Sequence, residues 1–319
     1  MSAGMRSLLL HLAVVALLVA LQFVLPTYHH GNLARIMVLA CYAISYNLLF
    51  GYAGLLSLGH AMFFAAGMYG LSLTIEHLGF AAGPALLAGF AAGIVLAAII
   101  GMLALRTSGV AFMIVTLMFA QVGYLTVLYF GEYTRGDEGF VIAQPVRALF
   151  GVDLSDPVNR YFAALVLFAA CLIVTLRLVE APFGRVLIAI RENEERARML
   201  GYDVFRHKLA AVIVSGALAA AAGAAYGLLF GYAGATFASV QYSILPLLWV
   251  LLGGAGTVLG PLIGTAFMFY LVDLASGWTS AYLLVVGVAL VLLVLFFPKG
   301  LLGTFREKLL GDRATSWLP

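Results

Sequence analysis

Long runs without a single Asp, Glu, Lys or Arg limit what this chain can fold into. The clearest are Leu8–Leu25, Phe80–Leu105 and Tyr282–Phe297. A soluble domain has about 25% charged residues, whereas 10% of this chain is charged and 64% is hydrophobic. One core cannot hide that much apolar surface from water, and a helix of about 20 apolar residues crosses a bilayer. The sequence therefore predicts an all-α polytopic membrane protein.

Breaks made of Gly, Pro and polar residues divide the chain into ten candidate crossings. Five lie in each half, and the eighth and ninth are short and interrupted by Gly, which favours broken or re-entrant helices there. We therefore expect about ten transmembrane helices, some of them broken. The predicted bounds are 8–25, 33–50, 61–78, 80–105, 108–130, 160–178, 209–233, 244–258, 261–275 and 279–297.

The distribution of Lys and Arg predicts which side of the membrane each loop faces. If both termini are cytoplasmic, Arg35, Arg135, Arg147 and Arg160 face outward, and the other 13 of the 17 Lys and Arg residues face the cytoplasm. The opposite orientation would invert this ratio. We therefore expect both termini and the loop 181–208 on the cytoplasmic side, with the segment 131–158 in the periplasm.

One heptapeptide, LLFGYAG, occurs at 48–54 and again at 228–234, and Tyr46 and Tyr226 precede the two copies at the same spacing. Five predicted crossings separate the copies, so they would end helices on opposite sides of the membrane. This pattern predicts inverted-topology repeats over 33–130 and 209–297, a frequent architecture of transporters. Independent helix-packing sequences that happen to match are the alternative.

The loop 181–208 is too polar for lipid but has helix-forming composition. Its segment from Glu194 to Leu200 is followed by Gly201, a residue that commonly closes a helix in the left-handed conformation. The sequence therefore predicts a short charged helix here. An ordinary amphipathic surface loop is the alternative.

Four motifs, in order along the chain, are similar to signatures of one transporter family. They are GYAGLLSLGHAMFFAAGMYG (51–70), ENEERARMLGYDVFRHKLAAVIVSGALAAAAGA (192–224), LLGGAGTVLGPLIG (251–264) and FFPKGLLG (296–303). Over nearly its whole length the chain resembles the permease subunits of ATP-binding-cassette (ABC) importers for branched-chain amino acids. Its length and the segment 131–158 resemble the longer, LivM-like subunit type. The stretch TRGDEGF at 134–140 departs from the family's Gly-Gly-x-x-Gly turn and leaves the periplasmic face open.

This resemblance implies a single permease domain over 1–319 in the bacterial inner membrane, which forms the pathway for branched-chain or other small hydrophobic amino acids. It implies as partners a second, LivH-like permease subunit, two ATPase subunits and a periplasmic substrate-binding protein. Coupling to the ATPase would fall to the short helix in the loop 181–208, with Ala197 small because it meets the partner closely. The residues assigned to coupling are Glu194, Glu195, Ala197, Arg198, Leu200 and Gly201.

The sequence contains no phosphate-binding G-x-x-x-x-G-K-[ST] motif. The glycine-rich stretch Gly254–Gly260 lies in an apolar segment without the following Lys, so close helix packing or a broken helix is the preferred interpretation. We therefore expect no cofactor or metal in this chain, with ATP and Mg held by partner subunits. Motifs of hydrolases such as H-E-x-x-H and G-x-S-x-G are also missing, which argues against an enzyme. The net charge of +3 is too small and too dispersed to suggest nucleic acid.

Two alternatives for transport remain open. An ion-coupled secondary transporter of the inverted-repeat type normally carries carboxylates or His within its spans, and these crossings carry almost none, although a sodium-coupled carrier can use neutral oxygens. Permeases similar to this chain also serve urea, short amides and aromatic acids, so the substrate is not fixed by the resemblance.

Four residues are candidates for the translocation pathway. Ser57, Gly59 and His60 lie in SLGHAMFF, near an expected mid-membrane break where irregular backbone can line a cavity. Tyr226, which matches Tyr46, is placed with them. His60 either lines or gates the route, or is a buried histidine satisfied by a neighbouring carbonyl.

Overall fold

The computed structural model describes residues 3–297 and 300–304. Most of its helices are separated by short connections. They are α1 (Ala3–Val24), α2 (Thr27–Asn47), α3 (Ala61–Leu78), α4 (Ala82–Ala104), α5 (Gly109–Tyr129), α6 (Gly131–Thr134), α7 (Pro157–Glu180), α8 (Pro182–Glu192), α9 (Glu194–Met199), α10 (Val204–Phe230), α11 (Val240–Gly253), α12 (Gly260–Trp278) and α13 (Tyr282–Phe296). The two ends of the chain, for which the cytoplasmic side is predicted, include residues 1–2 and 305–319, which lie outside the described residues. Part of the motif FFPKGLLG also lies outside them.

A helix occupies each of the ten predicted crossings, and the all-α class is confirmed. Among the described residues, six helices are long and apolar enough to cross a membrane. They are the stretch Tyr28–Tyr52, which contains most of α2, and α4, α5, α7, α10 and α12. Shorter apolar stretches lie in α1, α11 and α13. The chain is thus an α-helical membrane protein, and the number of ten complete crossings stays a prediction.

The eighth and ninth predicted crossings differ from each other. The eighth, α11, is short, with 14 residues and Pro246 inside it. The ninth, α12, runs without interruption over 19 residues, so the expectation of a short, broken helix there was wrong. Gly264 within this helix allows α12 to pack closely on α11, because a Cβ at that position would overlap the backbone carbonyl of Trp249 on α11.

Two small antiparallel sheets lie in and beside the segment 131–158. Strand β1 (Phe140–Val141) pairs with β4 (Tyr232–Ala233), while β2 (Ala148–Leu149) pairs with β3 (Val152–Asp153). The first pair attaches the segment 131–158 to the chain just after α10, and this fixes the segment over the end of that helix.

The long helices pack in two similar groups. Helix α10 packs on α3 and α4, which pack on each other, and α2 packs on α11 and α12, which also pack on each other. The helices α2 and α10 contact each other as well, and α7 lies against α2. Exchanging α2 with α10, α3 with α11 and α4 with α12 therefore reproduces the same set of neighbours.

Glycines allow the backbones of α3, α4 and α10 to approach closely. A Cβ on Gly223 would overlap the carbonyl of Phe64, and a Cβ on Gly67 would overlap the carbonyl of Ala220. A Cβ on Gly93 of α4 would overlap the Cβ of Ala220. Since lipid tails provide no hydrophobic force between helices, such close contacts hold membrane helices together. Gly223 of α10 thus serves close helix packing.

We predict that Gly223→Ala destabilises the protein, because the new methyl group forces α10 away from α3 at a cost of about 1–3 kcal/mol. Gly287→Ala is the matched control, since nothing lies within 4 Å of a Cβ at that position on α13. Thermal unfolding of the purified protein in detergent measures both. Equal melting temperatures for the two variants would contradict the close contact.

Candidate functional site

Helix α2 does not connect directly to α3. It widens into a π-helical turn over Leu48–Tyr52, and residues 53–60 form no helix before α3 begins. Ser57 lies in this break and its carbonyl accepts a hydrogen bond from the Tyr46 hydroxyl at 3.0 Å. A Cβ on Gly59 would overlap the carbonyl of Thr116 on α5. The break predicted near Ser57 and Gly59 is therefore present, and backbone contacts hold it in place.

His60 ends this break and is completely buried, with 0% exposure. Its Nε2 lies 2.9 Å from the Ser45 hydroxyl oxygen, which lies 2.6 Å from the carbonyl oxygen of Tyr42. A hydroxyl has one proton, so with Ser45 donating to Tyr42 the Nε2–H of His60 donates to Ser45. The Nδ1 of His60 is buried and has no partner within the described part of the chain. The partner of His60 is a hydroxyl and not the carbonyl considered from the sequence.

Seven rings in stacked, tilted and edge-to-face contact form a continuous series, which we call the aromatic column. Consecutive ring centroids lie 4.7, 6.0, 4.8, 5.5, 5.1 and 6.0 Å apart. The rings come from helices α2, α3 and α10, from the π-helical turn and, for His60, from the break, so both copies of LLFGYAG take part. In order, the rings are Phe230, Tyr226, Phe64, Tyr42, His60, Tyr46 and Phe50.

Exposure changes along the aromatic column. Phe230 and Tyr226 are half-buried at one end and Phe50 is half-buried at the other, whereas the four rings between them are fully buried. At the end formed by Phe230 and Tyr226, the rings of Phe237 and Tyr242 pack beside the column. The ring centroids of Phe237 and Tyr226 lie 5.1 Å apart. The column is thus accessible at its ends and closed in its middle. Of the four predicted pathway residues, His60 and Tyr226 belong to it, and Ser57 and Gly59 adjoin it.

The two identical heptapeptides end helices, as predicted, but fold differently. The first forms the π-helical turn, with Gly54 at φ 70°, whereas in the second α10 continues to Phe230 and Gly231 closes it at φ 72°. In the first copy a Cβ on Gly51 would come within 2.5 Å of the Gly256 nitrogen. Contacts from elsewhere in the chain therefore decide the local structure of this sequence.

An arginine from a distant segment satisfies each of these helix ends. Arg191 of α8 donates through Nη1 to the carbonyl of Gly51. Arg147 donates through Nε to the carbonyl of Leu228 at 2.8 Å and through Nη2 to that of Leu229. The last carbonyls of a helix lack helical partners and carry partial negative charge, so a guanidinium stabilises them.

Arg147 is 7% exposed. Burial lowers the pKa of its guanidinium, but an arginine keeps its proton in proteins. A buried charge of the segment 131–158 therefore lies against the end of α10, where the two carbonyls compensate it. The sequence suggested this arginine only as one of four outward charges.

The loop 181–208 contains the predicted short helix. Asn193 caps α9 by accepting from the Arg196 nitrogen at 2.9 Å, and Gly201 follows at φ 89°. Glu194 pairs with Arg198 at 3.1 Å and with Lys208 of α10 at 2.5 Å. The predicted helix-closing glycine is confirmed, and the ion pair between Glu194 and Lys208 fixes α9 to α10.

The position of Ala197 corrects one expectation. Ala197 is 2% exposed and packs with Val186, Ile190 and Val204 of its own chain, so its small size serves internal packing and not contact with a partner. The exposed apolar side chains of α9 and its end are Met199 and Leu200, at 84% and 70% exposure. Glu195, Arg196 and Arg198 are exposed beside them. We call Met199, Leu200 and these three charged residues the α9 surface.

A polar junction joins the α8–α9 unit to the break. Besides its bond to Gly51, Arg191 packs so closely that a Cβ on Gly54 would lie 2.6 Å from its Cγ. Asn47 accepts from the Gly256 nitrogen at 2.9 Å and donates to the Thr257 carbonyl at 2.8 Å. The sequence analysis missed this junction, although an Asn inside an apolar span is itself a signal, since such residues bond between membrane helices.

Comparison with known proteins agrees with this architecture. The profile of the family described as branched-chain amino acid transport system, permease component, matches residues 30–296. The chain belongs to this family. The resemblance seen in the sequence motifs is confirmed, and this permease chain is similar to curated relatives along most of its length.

Two of these relatives are high-affinity branched-chain amino acid transport system permease proteins LivM. The protein of Salmonella typhimurium strain LT2 is 31% identical and that of Escherichia coli K12 is 30% identical, each over 301 residues that cover 86% of this chain and 69% of the relative. A probable LivM of Methanocaldococcus jannaschii is 32% identical over 160 residues, covering 44% of this chain and 46% of the relative. No solved structure matches this permease with statistical significance.

We predict that Arg147→Met destabilises the permease strongly, because it leaves two buried carbonyls unsatisfied at about 1–3 kcal/mol each. Arg135→Met removes the same charge from an exposed pair with Glu76, which is worth about 0–1 kcal/mol. Thermal unfolding in detergent compares the two. If both variants unfold at the same temperature, Arg147 does not satisfy the last carbonyls of α10.

Proposed function

We propose that this chain is a permease subunit of an ABC importer in the bacterial inner membrane, and that substrate moves along the aromatic column. The observation that carries the proposal is the column itself, accessible at both ends and closed by buried rings between them. Its aromatic lining suits branched-chain or other small hydrophobic amino acids. The LivM relatives, named for branched-chain amino acid transport, support this substrate class.

We further propose that residues 33–130 and 209–297 are inverted-topology repeats around this column. Support comes from the two helix-ending heptapeptides and from the exchangeable packing of α2 with α11 and α12 and of α10 with α3 and α4. The two capping arginines add to it, because the charge pattern assigns Arg191 to the cytoplasm and Arg147 to the outside. Such repeats place a substrate route at their interface.

The topology follows from the same charge pattern. With residues 131–158 in the periplasm and the loop 181–208 in the cytoplasm, Asn193→Cys reacts with a membrane-impermeant thiol reagent only after cells are opened, whereas Asp137→Cys reacts in intact cells. Both positions are exposed, and the native Cys41 and Cys171 are buried, which keeps the background low. Labelling of Asn193→Cys in intact cells would refute the topology.

Energy would reach the column through the α9 surface. We propose that a separate ATPase subunit, which binds ATP and Mg, docks on Met199 and Leu200. Its closure would move α8 and α9, and Arg191 would pass that movement to the π-helical turn and Phe50. A LivH-like permease subunit, a second ATPase subunit and a periplasmic binding protein complete the proposed importer. Glu194 would hold α9 in place for docking through its ion pairs, and Gly201 would close the helix.

We predict that Leu200→Glu abolishes uptake while leaving the fold intact, because an exposed site changes stability by no more than about 0.5 kcal/mol and the charge disrupts docking. The matched control is Leu78→Glu, the same substitution at an exposed leucine at the far end of α3. Uptake and ATP hydrolysis in proteoliposomes containing the assembled importer measure the effect.

Two results would contradict this function. Normal ATP-driven uptake by Leu200→Glu would remove the α9 surface from coupling. Uphill transport by the purified chain under an ion gradient, with no ATPase subunit present, would favour the ion-coupled carrier instead.

A further inference from the structure

Two arginines flank the end of the aromatic column that Phe230 and Tyr226 form. Arg35 comes from α2 and Arg160 from the first turn of α7, and their guanidinium carbons lie 5.2 and 5.9 Å from the centroid of the Phe230 ring. The charge pattern assigns both residues to the outer side. Two positive charges thus share one aromatic ring at the predicted outer entrance of the column.

Two carboxylates, Asp153 and Asp156, lie near enough to Arg160 to attract its charge, but neither forms an ion pair with it. Across residues 3–297 and 300–304, neither arginine forms a salt bridge. Two acids that precede Arg160 are used otherwise: Asp156 caps α7 by accepting from the Val158 and Asn159 nitrogens, and Asp153 accepts from the Ser155 nitrogen at 2.7 Å. Within the described residues, neither acid is therefore paired directly with one of the two guanidinium groups.

Arg160 also has an unused hydrogen-bond donor. Its Nη2 donates to the Ser155 carbonyl at 2.6 Å, while its Nε is buried and has no acceptor within the described structure. A buried donor without a partner is unfavourable, so an added acceptor at this point would stabilise the site.

Arg35 lies on the column side of α2. It is exposed although its neighbours Ala34 and Ile36 are buried. With 3.6 residues per turn, Arg35 shares a helix face with Tyr42 and Tyr46, which lie seven and eleven residues further along. Arg35 therefore stands two turns before the first buried ring that α2 gives to the column.

We propose that Arg35 and Arg160 bind the carboxylate of the incoming substrate before its side chain enters the column. A guanidinium matches a carboxylate with two parallel hydrogen bonds, and the half-buried rings of Phe230 and Tyr226 beside it suit a hydrocarbon side chain. The inference rests on the proposed function and narrows its substrate class. Amino acids and other carboxylic acids fit the site, whereas urea and simple amides lack the negative charge.

Uptake by the assembled importer gives the first test. We expect Arg35→Gln and Arg160→Gln each to lower leucine uptake about tenfold or more, since a charged hydrogen-bonded pair is lost. Arg35→Lys keeps the charge and should retain part of the activity. Arg135→Gln, a change of the same charge elsewhere on the predicted outer side, should transport at the wild-type rate. Wild-type leucine uptake by the Arg35→Gln, Arg160→Gln double variant would overturn the inference.

Chemical protection gives a second test that does not require transport. Phenylglyoxal modifies exposed arginines, and mass spectrometry of the nucleotide-free complex reports modification at Arg35. We expect leucine and isovalerate, which carry a carboxylate, to protect Arg35, and leucinamide, which lacks it, to give no protection. Equal protection by all three, or by none, would overturn the site. If the wild-type complex shows no ATP-dependent uptake, the proposed function fails, yet the protection pattern still decides whether carboxylates bind here.

Discussion

Two helices of this permease end inside the protein, and the rest of the structure depends on how their last carbonyls are satisfied. In a membrane protein, irregular backbone at depth is tolerated only when protein groups or a water-filled cavity supply its hydrogen bonds. Arg191 supplies them to Gly51 and Arg147 to Leu228 and Leu229. Because these bonds hold the break in place, His60 and the column rings keep their positions.

The same bonds connect the parts that the proposed mechanism must move together. Arg191 belongs to α8, which leads directly into α9 and its exposed Met199 and Leu200. A displacement of α9 therefore reaches the π-helical turn through one side chain. Arg147 ties the segment 131–158 to the end of α10 in a comparable way, so each end of the column is attached to a loop that a partner subunit could contact.

The sequence predicted the helices well and their irregular ends poorly. Apolar runs reflect the thickness of the bilayer, and α3 occupies 61–78 as expected. The two copies of LLFGYAG could not be told apart, because one meets Arg191 and Gly256 and the other meets Arg147 and β1. The pattern of apolar residues in the loop 181–208 likewise did not reveal that Ala197 faces its own chain, since amphipathicity does not distinguish internal from external partners. Column residues spread between Tyr42 and Phe230 come together only through packing that residue spacing does not encode.

The central claim, that the aromatic column is the route of the substrate, is tested most directly by thiol accessibility along it. Cysteines at Tyr226 and Tyr46 in the assembled complex would be labelled with a small reagent, with and without ATP and vanadate. The account predicts that Tyr226→Cys reacts in the nucleotide-free state, that Tyr46→Cys is then protected, and that ATP changes both rates. A Tyr46→Cys variant that transports substrate while its thiol stays unreactive in every state would contradict the claim.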